Sequence, residues 1–310
     1  MNPTSTKPDN HIRPGATITG KWHQHTYVID RQLGSGAIGT VYLTRRAGKQ
    51  AALKISEQSA SLTVEVNVLK SFAKVQGKRL GPSLLDVDDW VAPNGQRYTF
   101  YVMEYINGYP LHTFVRSRGH EWIGVFLMQL LDDLGHLHQS GWVFGDLKTD
   151  NLLVTQTPIR LRWVDVGGTT QIGRAVKEYT EFFDRGYWQM GSRKADPGYD
   201  LFAVAMVALH LGYPRRFEKG ANPKATLMNK LQKARPLAMY RPVLMKALNG
   251  TYQSSHAMKR DISQLLYRKQ RENFRLGPGS GIPSRRALYQ DSGAIAVIAL
   301  LYYVTSLLFP

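Results

Sequence analysis

Short runs of β-branched and aromatic residues dominate the first third of the chain. Between residues 27 and 106 these runs read YVIDRQLG, GTVYLTRR, QAALKISE and YTFYVMEYI, with turn residues between them, which predicts four strands. Between the third and fourth strands, the apolar residues Leu62, Val66, Leu69 and Ala73 recur at steps of three or four. That spacing predicts an amphipathic helix, so a small strand-rich lobe is expected over residues 27–106.

Helical periodicity replaces the strand pattern after this point. One helix is predicted over EWIGVFLMQLLDDLGHLHQSG, which has apolar residues at mixed steps of three and four and ends at Gly141, a residue suited to a C-cap. A second, almost wholly apolar segment, YDLFAVAMVALHLGYP, predicts a buried helix. The last helix of this part is expected over RDISQLLYRKQRENF. The predicted fold is therefore α+β and bilobal, with a larger helical lobe over residues 107–275.

The N-terminal residues 1–26 are polar and rich in Pro, Thr, Asn and His. They lack the apolar core of a signal peptide, so a flexible arm is expected there. Residues 276–292 follow the helical lobe and contain the Gly/Pro-rich stretch LGPGSGIP. This segment predicts a linker with a juxtamembrane part.

The C-terminal stretch Gly293–Pro310 is uncharged and apolar. As a helix, its 18 residues would span about 27 Å, close to the hydrocarbon thickness of a bilayer. Arg285 and Arg286 precede it, which places the body of the protein in the cytoplasm by the positive-inside rule. The prediction is a single-pass C-terminal anchor in the cell membrane, with a buried helix of the soluble core as the alternative.

The last third of the chain is strongly basic. The formal net charge of the chain is +17, and residues 211–290 contain 17 Lys or Arg against three acidic residues, so +14 lies there. An anionic membrane surface and DNA are the partners that such a region predicts, and the interleaved Tyr240, Tyr252 and Tyr267 favour nucleic acid. A solvated basic face without a partner is the alternative.

Two motifs in the strand-rich lobe carry candidate chemistry. Glycines at positions 34, 36 and 39 lie in LGSGAIGTVYL, and a strand follows them; a dinucleotide-binding turn would open a helix, whereas a strand-turn-strand flap can cover phosphates. The next strand ends in AALK at Lys54, whose ammonium group requires an anionic partner if buried. Glu65 on the predicted helix is the expected partner and Glu57 is the alternative. A purely structural hairpin remains the other interpretation of the glycines.

Two further motifs supply oxygen ligands. VFGDLKTDNLLV contains Asp146 and Asn151, and LRWVDVGGTT delivers Asp165 to a glycine turn. Two carboxylates and an amide suit Mg²⁺, although a loop Asp more often caps a turn. The chain has no cysteine, which excludes thiolate sites, and His136 and His138 point to different helix faces, so no metal pair is expected there.

In this order the motifs resemble the Hanks-type (eukaryotic-like) serine/threonine protein kinases of bacteria, over roughly residues 27–274. The layout with a basic region and a terminal apolar segment resembles the short membrane-anchored sporulation kinases of bacilli. The resemblance implies that Asp146 is the catalytic residue, that Lys148 neutralises the γ-phosphate, that Asn151 and Asp165 hold Mg²⁺, and that Asp200 braces the catalytic loop. Lys148, two residues after Asp146, favours serine and threonine substrates.

The same resemblance implies an ATP site in the cleft between the lobes. Val41 and Ala52 would sandwich the adenine, Met103 would be the gatekeeper, and Glu104 and Ile106 would offer backbone contacts to the adenine. The implied nucleotide-binding residues are Leu33, Gly34, Gly36, Gly39, Val41, Ala52, Lys54, Glu65, Met103, Glu104 and Ile106.

Three positions depart from the family pattern. The His-Arg expected before the catalytic Asp is Phe144-Gly145, the Phe of the metal-binding motif is Val166, and residues 178–197 contain no Ala-Pro-Glu. Without that Arg, a phosphorylated activation loop has no cation to bind there. The prediction is activity that does not require a phosphate at this contact.

The expected protein is an ATP- and Mg²⁺-dependent serine/threonine kinase, with Mn²⁺ as an alternative ion. It is expected to phosphorylate proteins and itself, to form a transient homodimer for autophosphorylation, and to be stimulated by DNA or anionic lipid at the basic region. The alternative is a catalytically weak, kinase-like and membrane-tethered DNA- or lipid-binding protein.

Overall fold

The computed structural model describes residues 12–36, 38–73 and 80–275. The strands are β1 (Thr17–Thr19), β2 (Thr26–Ser35), β3 (Thr40–Arg46), β4 (Lys49–Ser56), β5 (Leu84–Val91), β6 (Arg97–Glu104), β7 (Tyr109–Pro110), β8 (Trp142–Val143), β9 (Leu152–Gln156), β10 (Ile159–Trp163) and β11 (Thr170–Gln171). The helices are α1 (Ser59–Phe72), α2 (Leu111–Arg118), α3 (Trp122–Gln139), α4 (Pro197–Gly212), α5 (Pro223–Lys233), α6 (Arg241–Leu248) and α7 (Ser255–Arg275). The predicted strand-rich and helical parts are both confirmed.

A six-stranded antiparallel sheet forms the N-terminal lobe, in the order β1-β2-β3-β4-β6-β5. Successive residues of a strand point to opposite faces, and in β4 both faces are covered. Leu53 and Ile55 belong to a core made by the strands, whereas Ala52 belongs to the larger core shared with α1 and the helical lobe. β4 is consequently buried from Ala51 to Ser56.

Two strands of this sheet were missed by the sequence prediction. β5 carries three aspartates, at positions 86, 88 and 89, which weaken the apolar alternation that marks a strand. β1 lies inside the arm predicted as flexible over residues 1–26, and its Thr17 pairs with Val28 of β2. From Ile12 onwards the flexible-arm prediction is therefore wrong, because Ile18 is fully buried in the strand core and fixes β1 to the sheet.

The helical lobe is organised around α4. Its residues Tyr199 to Leu209 are all buried, which confirms the helix predicted from its continuous apolar run. Asp196 caps the helix by accepting a hydrogen bond from the Tyr199 amide, and Pro197 occupies the first turn, where a missing N–H costs nothing. The predicted helices that became α3 and α7 are also confirmed, and they pack against each other.

Small sheets fix the loops between α3 and α4. β9 pairs with β10, and β8 pairs with β11 through Val143 and Thr170. The loop after β8 and the loop after β10 are thereby held side by side. They contain the candidate residues Asp146 and Asp165.

Some predictions lie outside the described residues: part of the arm (residues 1–11), the linker (residues 276–292) and the anchor Gly293–Pro310. Among the described residues, no helix is both long enough and apolar enough to cross a bilayer.

Candidate active site

A buried ion pair joins the sheet of the N-terminal lobe to α1. Lys54 Nζ lies 2.7 Å from both carboxylate oxygens of Glu65, and the Tyr101 hydroxyl donates to the same carboxylate at 2.7 Å. Burial, followed by the charge of Glu65, raises the pKa of Tyr101 well above its usual value. Glu65 is thus the partner of Lys54, and the alternative partner Glu57 is wrong; Glu57 instead hydrogen-bonds to Tyr98.

The glycine-rich turn lies between β2 and β3 and closes with a hydrogen bond from the Gly36 amide to the Gly39 carbonyl, at 2.9 Å. A Cβ on Gly39 would lie 2.4 Å from the backbone oxygen of Ile55, so a side chain there would collide with β4. Among the described residues, Cβ atoms on Gly34 and Gly36 would meet no atom within 4 Å. These two glycines therefore leave the backbone of the turn open to a ligand.

The loop after β8 brings Asp146, Lys148 and Asn151 together. Lys148 Nζ bonds the Asp146 carboxylate and also donates to the Thr180 hydroxyl at 3.2 Å. The Asn151 side-chain amide donates to the Asp146 carbonyl at 3.0 Å, which fixes the loop around the aspartate. Within the part of the chain that the structure describes, the buried Oδ1 of Asp146 has no hydrogen-bond partner. That oxygen is therefore an unsatisfied hydrogen-bond acceptor at the candidate site.

Asp165 faces this loop from the end of β10. One of its carboxylate oxygens accepts a hydrogen bond from the Gly167 amide at 3.0 Å and lies 3.8 Å from Lys54 Nζ. The side chain is 46% exposed, so it faces the cleft. Together with the Asn151 amide, it is an all-oxygen donor set of the kind that Mg²⁺ or Mn²⁺ prefers, and the residues present fit such an ion.

Asp200 of α4 binds the backbone of the loop after β8. Its buried carboxylate accepts hydrogen bonds from the Phe144 amide at 2.8 Å, the Gly145 amide at 3.0 Å and His138 Nε2 at 2.9 Å. The other ring nitrogen of His138 contacts the Ser255 hydroxyl at 2.9 Å. The bracing position of Asp200 agrees with its expected role. The contribution of His138 was missed, because it depends on how α3 and α7 pack.

The unusual Phe144-Gly145 pair is fully accommodated. Phe144 is 1% exposed, and its ring meets Trp163 edge-on, with centroids 4.9 Å apart. Gly145 has φ +79°, and a Cβ there would lie 2.2 Å from the Gly168 carbonyl oxygen. The loop after β8 and the loop after β10 therefore approach each other through glycine backbone. The sequence alone showed only that position 145 lacks the arginine of the family pattern, and it did not reveal this close approach.

The predicted adenine-binding residues line the strands that lead to the connection between the lobes. Ala52 is paired with Met103 across β4 and β6; both are buried, as is Ile106. The Glu104 amide donates to the Ser83 carbonyl at 2.8 Å, and its carboxylate is held by Arg162 at 3.0 Å. Leu33 is 36% exposed and Val41 is half-buried.

The carboxylate of Glu178 lies close to those of Glu65 and Asp165. Single carboxylate oxygens of Glu65, Asp165 and Glu178 all lie 3.3–3.4 Å from the point that a Cβ on Gly167 would occupy. Partial desolvation raises the pKa of Glu178, and the negative charges of Glu65 and Asp165 raise it further. No sequence motif marked Glu178, which reaches the site through the fold of the loop after β11.

Protein kinases of bacteria and fungi are similar in sequence to this chain. The protein kinase domain model matches residues 27–277. Serine/threonine-protein kinase YabT of Bacillus subtilis is 50% identical over 263 residues, which cover 84% of this chain and 78% of YabT. In Schizosaccharomyces pombe, protein kinase dsk1 is 31% identical over 169 residues, or 49% of this chain and 31% of dsk1. Serine/threonine-protein kinase ppk31 of the same organism is 29% identical over 160 residues, or 49% of this chain and 15% of ppk31.

Proposed function

The chain belongs to the protein kinase family and is a serine/threonine protein kinase, and from that premise we propose that its cleft transfers the γ-phosphate of Mg-ATP to protein hydroxyl groups. The observation that carries this proposal is the convergence of Lys54, Asp146 and Asp165. Lys54 lies 3.8 Å from the Asp165 carboxylate, and the charges of Lys54, Asp165 and Asp146 all act on the carboxyl group of Glu178, so the three residues share one site.

Each residue has a distinct part in the proposed reaction. Lys54, fixed by Glu65 at 2.7 Å, holds the α- and β-phosphates. The Asp146 carboxylate orients the substrate hydroxyl and accepts its proton, while Lys148 balances negative charge on the transferred group. Asn151 and Asp165 would hold Mg²⁺, or Mn²⁺ in its place, which when bound neutralises phosphate charge.

Two variants test the catalytic assignment. Lys54→Ala and Asp146→Ala should each lower phosphate transfer to a generic basic protein by at least about 100-fold, since positioning and charge stabilisation provide most of the catalysis of phosphoryl transfer. Lys49→Ala, an exposed lysine of the same strand, and Asp150→Ala, an exposed aspartate of the same loop, are the matched controls. Transfer that is equal in all four variants would show that the cleft is not the catalytic site.

We also propose that the site works without a phosphate on the activation loop. No side chain extends from position 145, and Lys148 already contacts the Thr180 hydroxyl at 3.2 Å. Phosphatase treatment of the wild type, and a Thr169→Val/Thr170→Val variant that leaves Thr180 intact, should both retain the initial rate of transfer. Loss of transfer by the folded, ATP-binding protein in both experiments would refute the idea.

The basic region is proposed to bind a polyanion that stimulates autophosphorylation within a transient homodimer. Tyr240 and Tyr252 do not support nucleic-acid binding as predicted, because they are only 3% and 7% exposed and neither ring can stack on a base. Tyr267 is 61% exposed and lies on α7, with Arg268 and Lys269 also exposed. The favoured interaction is therefore electrostatic contact with phosphate, as in sequence-independent DNA binding.

DNA and anionic lipid vesicles, added in parallel over increasing salt, distinguish the two polyanions. DNA is expected to raise autophosphorylation at low salt and to lose its effect as salt increases. Vesicles acting alone would assign the surface to lipid. If neither acts at low salt, the regulatory proposal fails while the kinase assignment stands.

The C-terminal stretch Gly293–Pro310 is proposed to anchor the protein in the cell membrane, with the catalytic body in the cytoplasm. A chain that stops after residue 275 should leave the membrane fraction and retain phosphate transfer. The second candidate function is that of a catalytically weak, membrane-tethered DNA- or lipid-binding protein, which the high charge of residues 211–290 favours. Persistence of transfer in the wild type and its loss in Asp146→Ala would exclude that candidate.

A further inference from the structure

A cluster of histidines and a buried carboxylate lies in the N-terminal lobe and takes no part in the proposed reaction. His23 and His25 are in the turn between β1 and β2, and Asp86 is on β5. β1 and β5 are the two edges of the sheet. The turn bridges these edges, because the Lys21 amide donates to the Asp89 carbonyl at 2.8 Å and the Trp22 amide donates to the Asp88 carboxylate at 2.9 Å.

The two imidazoles approach one carboxylate from its two oxygens. His23 Nδ1 lies 2.7 Å from Asp86 Oδ1, and His25 Nδ1 lies 2.8 Å from Asp86 Oδ2. One ligand atom from each residue can be chosen such that all three lie within 4.8 Å of one another. Two imidazole nitrogens and a carboxylate this close together are a donor set suited to a mononuclear metal site.

We propose that His23, His25 and Asp86 bind a divalent first-row transition metal ion, with Zn²⁺ as the best match. Imidazole nitrogen favours zinc over magnesium and calcium, which prefer oxygen alone. Water or the neighbouring Asp88 completes the coordination; one oxygen of Asp88 is 3.8 Å from His23 Nδ1. The ion would connect the first hairpin to the far edge of the sheet.

His23, His25 and Asp86 could coordinate a zinc ion after small movements of the two histidine side chains. Tetrahedral zinc with bonds of about 2.0–2.1 Å requires neighbouring ligand atoms about 3.3 Å apart. Each histidine nitrogen is now 2.7–2.8 Å from a different oxygen of Asp86, and the three ligand atoms lie within 4.8 Å of one another. The His23 and His25 side chains are 54% and 36% exposed, so both can move outward. Displacement of a proton from each Nδ1 by the metal is ordinary for histidine ligands.

The carboxylate is already fixed in place. Asp86 is 5% exposed as a side chain, and it accepts hydrogen bonds from the Tyr27 hydroxyl at 2.6 Å and from the Val87 amide at 2.9 Å. Hydrogen bonds to a ligating carboxylate orient it and raise metal affinity. The same groups also form a metal-free latch, in which both imidazoles only donate to Asp86, and the experiment must separate the two.

Zinc binding by the untagged full chain, stripped of metal with a chelator, tests the proposal. Isothermal titration with Zn²⁺ should give one site per chain, Co²⁺ should give the visible absorption of a nitrogen-ligated site, and Tm should rise with free Zn²⁺. His23→Ala and His25→Ala should each weaken binding at least tenfold. His256→Ala, which removes an exposed histidine of α7, should bind as the wild type does.

Glutamine variants distinguish the metal site from the latch. His23→Gln and His25→Gln keep an N–H donor for Asp86 but replace a good zinc ligand with a poor one. They are expected to keep the metal-free Tm close to that of the wild type and to lose the Zn²⁺-dependent rise. If the wild type shows no 1:1 binding, or if a His23→Gln/His25→Gln double variant binds Zn²⁺ equally well, the cluster is only a latch and the proposal is wrong. Neither result affects the kinase assignment.

Discussion

Replacing Gly145 with alanine is the sharpest test of how the catalytic loop is built. The residue has φ +79°, a conformation that L side chains rarely adopt. Gly141, four residues earlier, has φ +86°, and a Cβ there would meet no atom of the described part of the chain within 4 Å. At Gly145, the same atom would lie 2.2 Å from the Gly168 carbonyl oxygen. The two alanine variants therefore share the backbone strain and differ in the collision.

The expected loss of stability follows from these two contributions. A left-handed backbone costs a non-glycine residue about 1–2 kcal/mol, and Gly141→Ala should lose only that amount. In Gly145→Ala the contact must lengthen from 2.2 Å to the 3.4 Å of ordinary van der Waals contact. Movement of packed backbone to relieve overpacking costs typically about 1–3 kcal/mol. Gly145→Ala should therefore lose about 2–5 kcal/mol.

In Gly145→Ala, the rate of phosphate transfer should fall by more than the loss of stability alone explains. Gly168 packs directly on the catalytic aspartate, because a Cβ on Gly168 would lie 2.8 Å from the Asp146 amide nitrogen. Displacement of the Gly168 carbonyl by about 1 Å is thus passed to Asp146, and a misplacement of that size costs about 100-fold in rate. We expect Gly141→Ala to keep the wild-type rate and Gly145→Ala to lose about 100-fold.

Urea unfolding followed by tryptophan fluorescence measures the first quantity, and transfer to a basic protein with Mg-ATP measures the second. Because both substitutions change glycine to alanine, their effects on the unfolded chain are similar and cancel in the comparison. The reasoning is refuted if the two variants lose the same stability and Gly145→Ala transfers phosphate at the wild-type rate. That result would mean that the two loops separate without cost.

Two other predictions concern buried carboxylates. Glu65→Ala removes the hydrogen-bonded partner of buried Lys54 and leaves only the Asp165 carboxylate, 3.8 Å away, so it should lose about 3–5 kcal/mol. Lys54→Met/Glu65→Leu should recover part of that stability in urea unfolding and remain inactive. A double variant as unstable as Glu65→Ala would contradict this. The hydrogen bonds from Tyr27, His25 and His23 outweigh burial and lower the pKa of Asp86 to about 2. The resulting stability is present above the ordinary aspartate pKa and is lost as the pH falls through about 2. Asp86→Asn should have a lower Tm than the wild type at pH 7. When Tm is measured between about pH 4 and pH 2, the variant should lose less stability than the wild type. If the two curves of Tm against pH run parallel, ionised Asp86 does not contribute this acid-sensitive stability.

Local motifs predicted most of the site because its residues are close in sequence to recognisable turns and strands. Asp146, Lys148 and Asn151 occupy one loop of six residues, so their proximity required no knowledge of the tertiary fold. The choice of Glu65 over Glu57 did require it, since the rotation of α1 about its axis decides which carboxylate faces Lys54. A periodic pattern gives the buried face of a helix but not the partner that it meets.

The missed features all depend on contacts between distant segments. His23 is 63 residues from Asp86, and the aspartates of β5 concealed the strand that brings them together. The burial of Tyr240 follows from α3, where Gly124 leaves room for the tyrosine hydroxyl; a Cβ there would lie 2.3 Å from it. A tyrosine among basic residues has the same sequence pattern whether it is exposed or buried, so the pattern alone could not show that Tyr240 and Tyr252 are buried.

The Phe144-Gly145 pair has a structural consequence for control. In place of a charged side chain, the loop is held by buried contacts: the Asp200 carboxylate binds both backbone amides, at 2.8 Å and 3.0 Å, and Phe144 packs on Trp163. None of these contacts involves a hydroxyl group of the activation loop. A switch can act only through a contact that differs between two states. Partial burial and the nearby charges of Glu65 and Asp165 raise the pKa of Glu178, which makes its carboxyl group sensitive to its surroundings. Regulation of this kinase is therefore expected to act on the position of α1, through Lys54 and Glu65, or on the carboxyl group of Glu178.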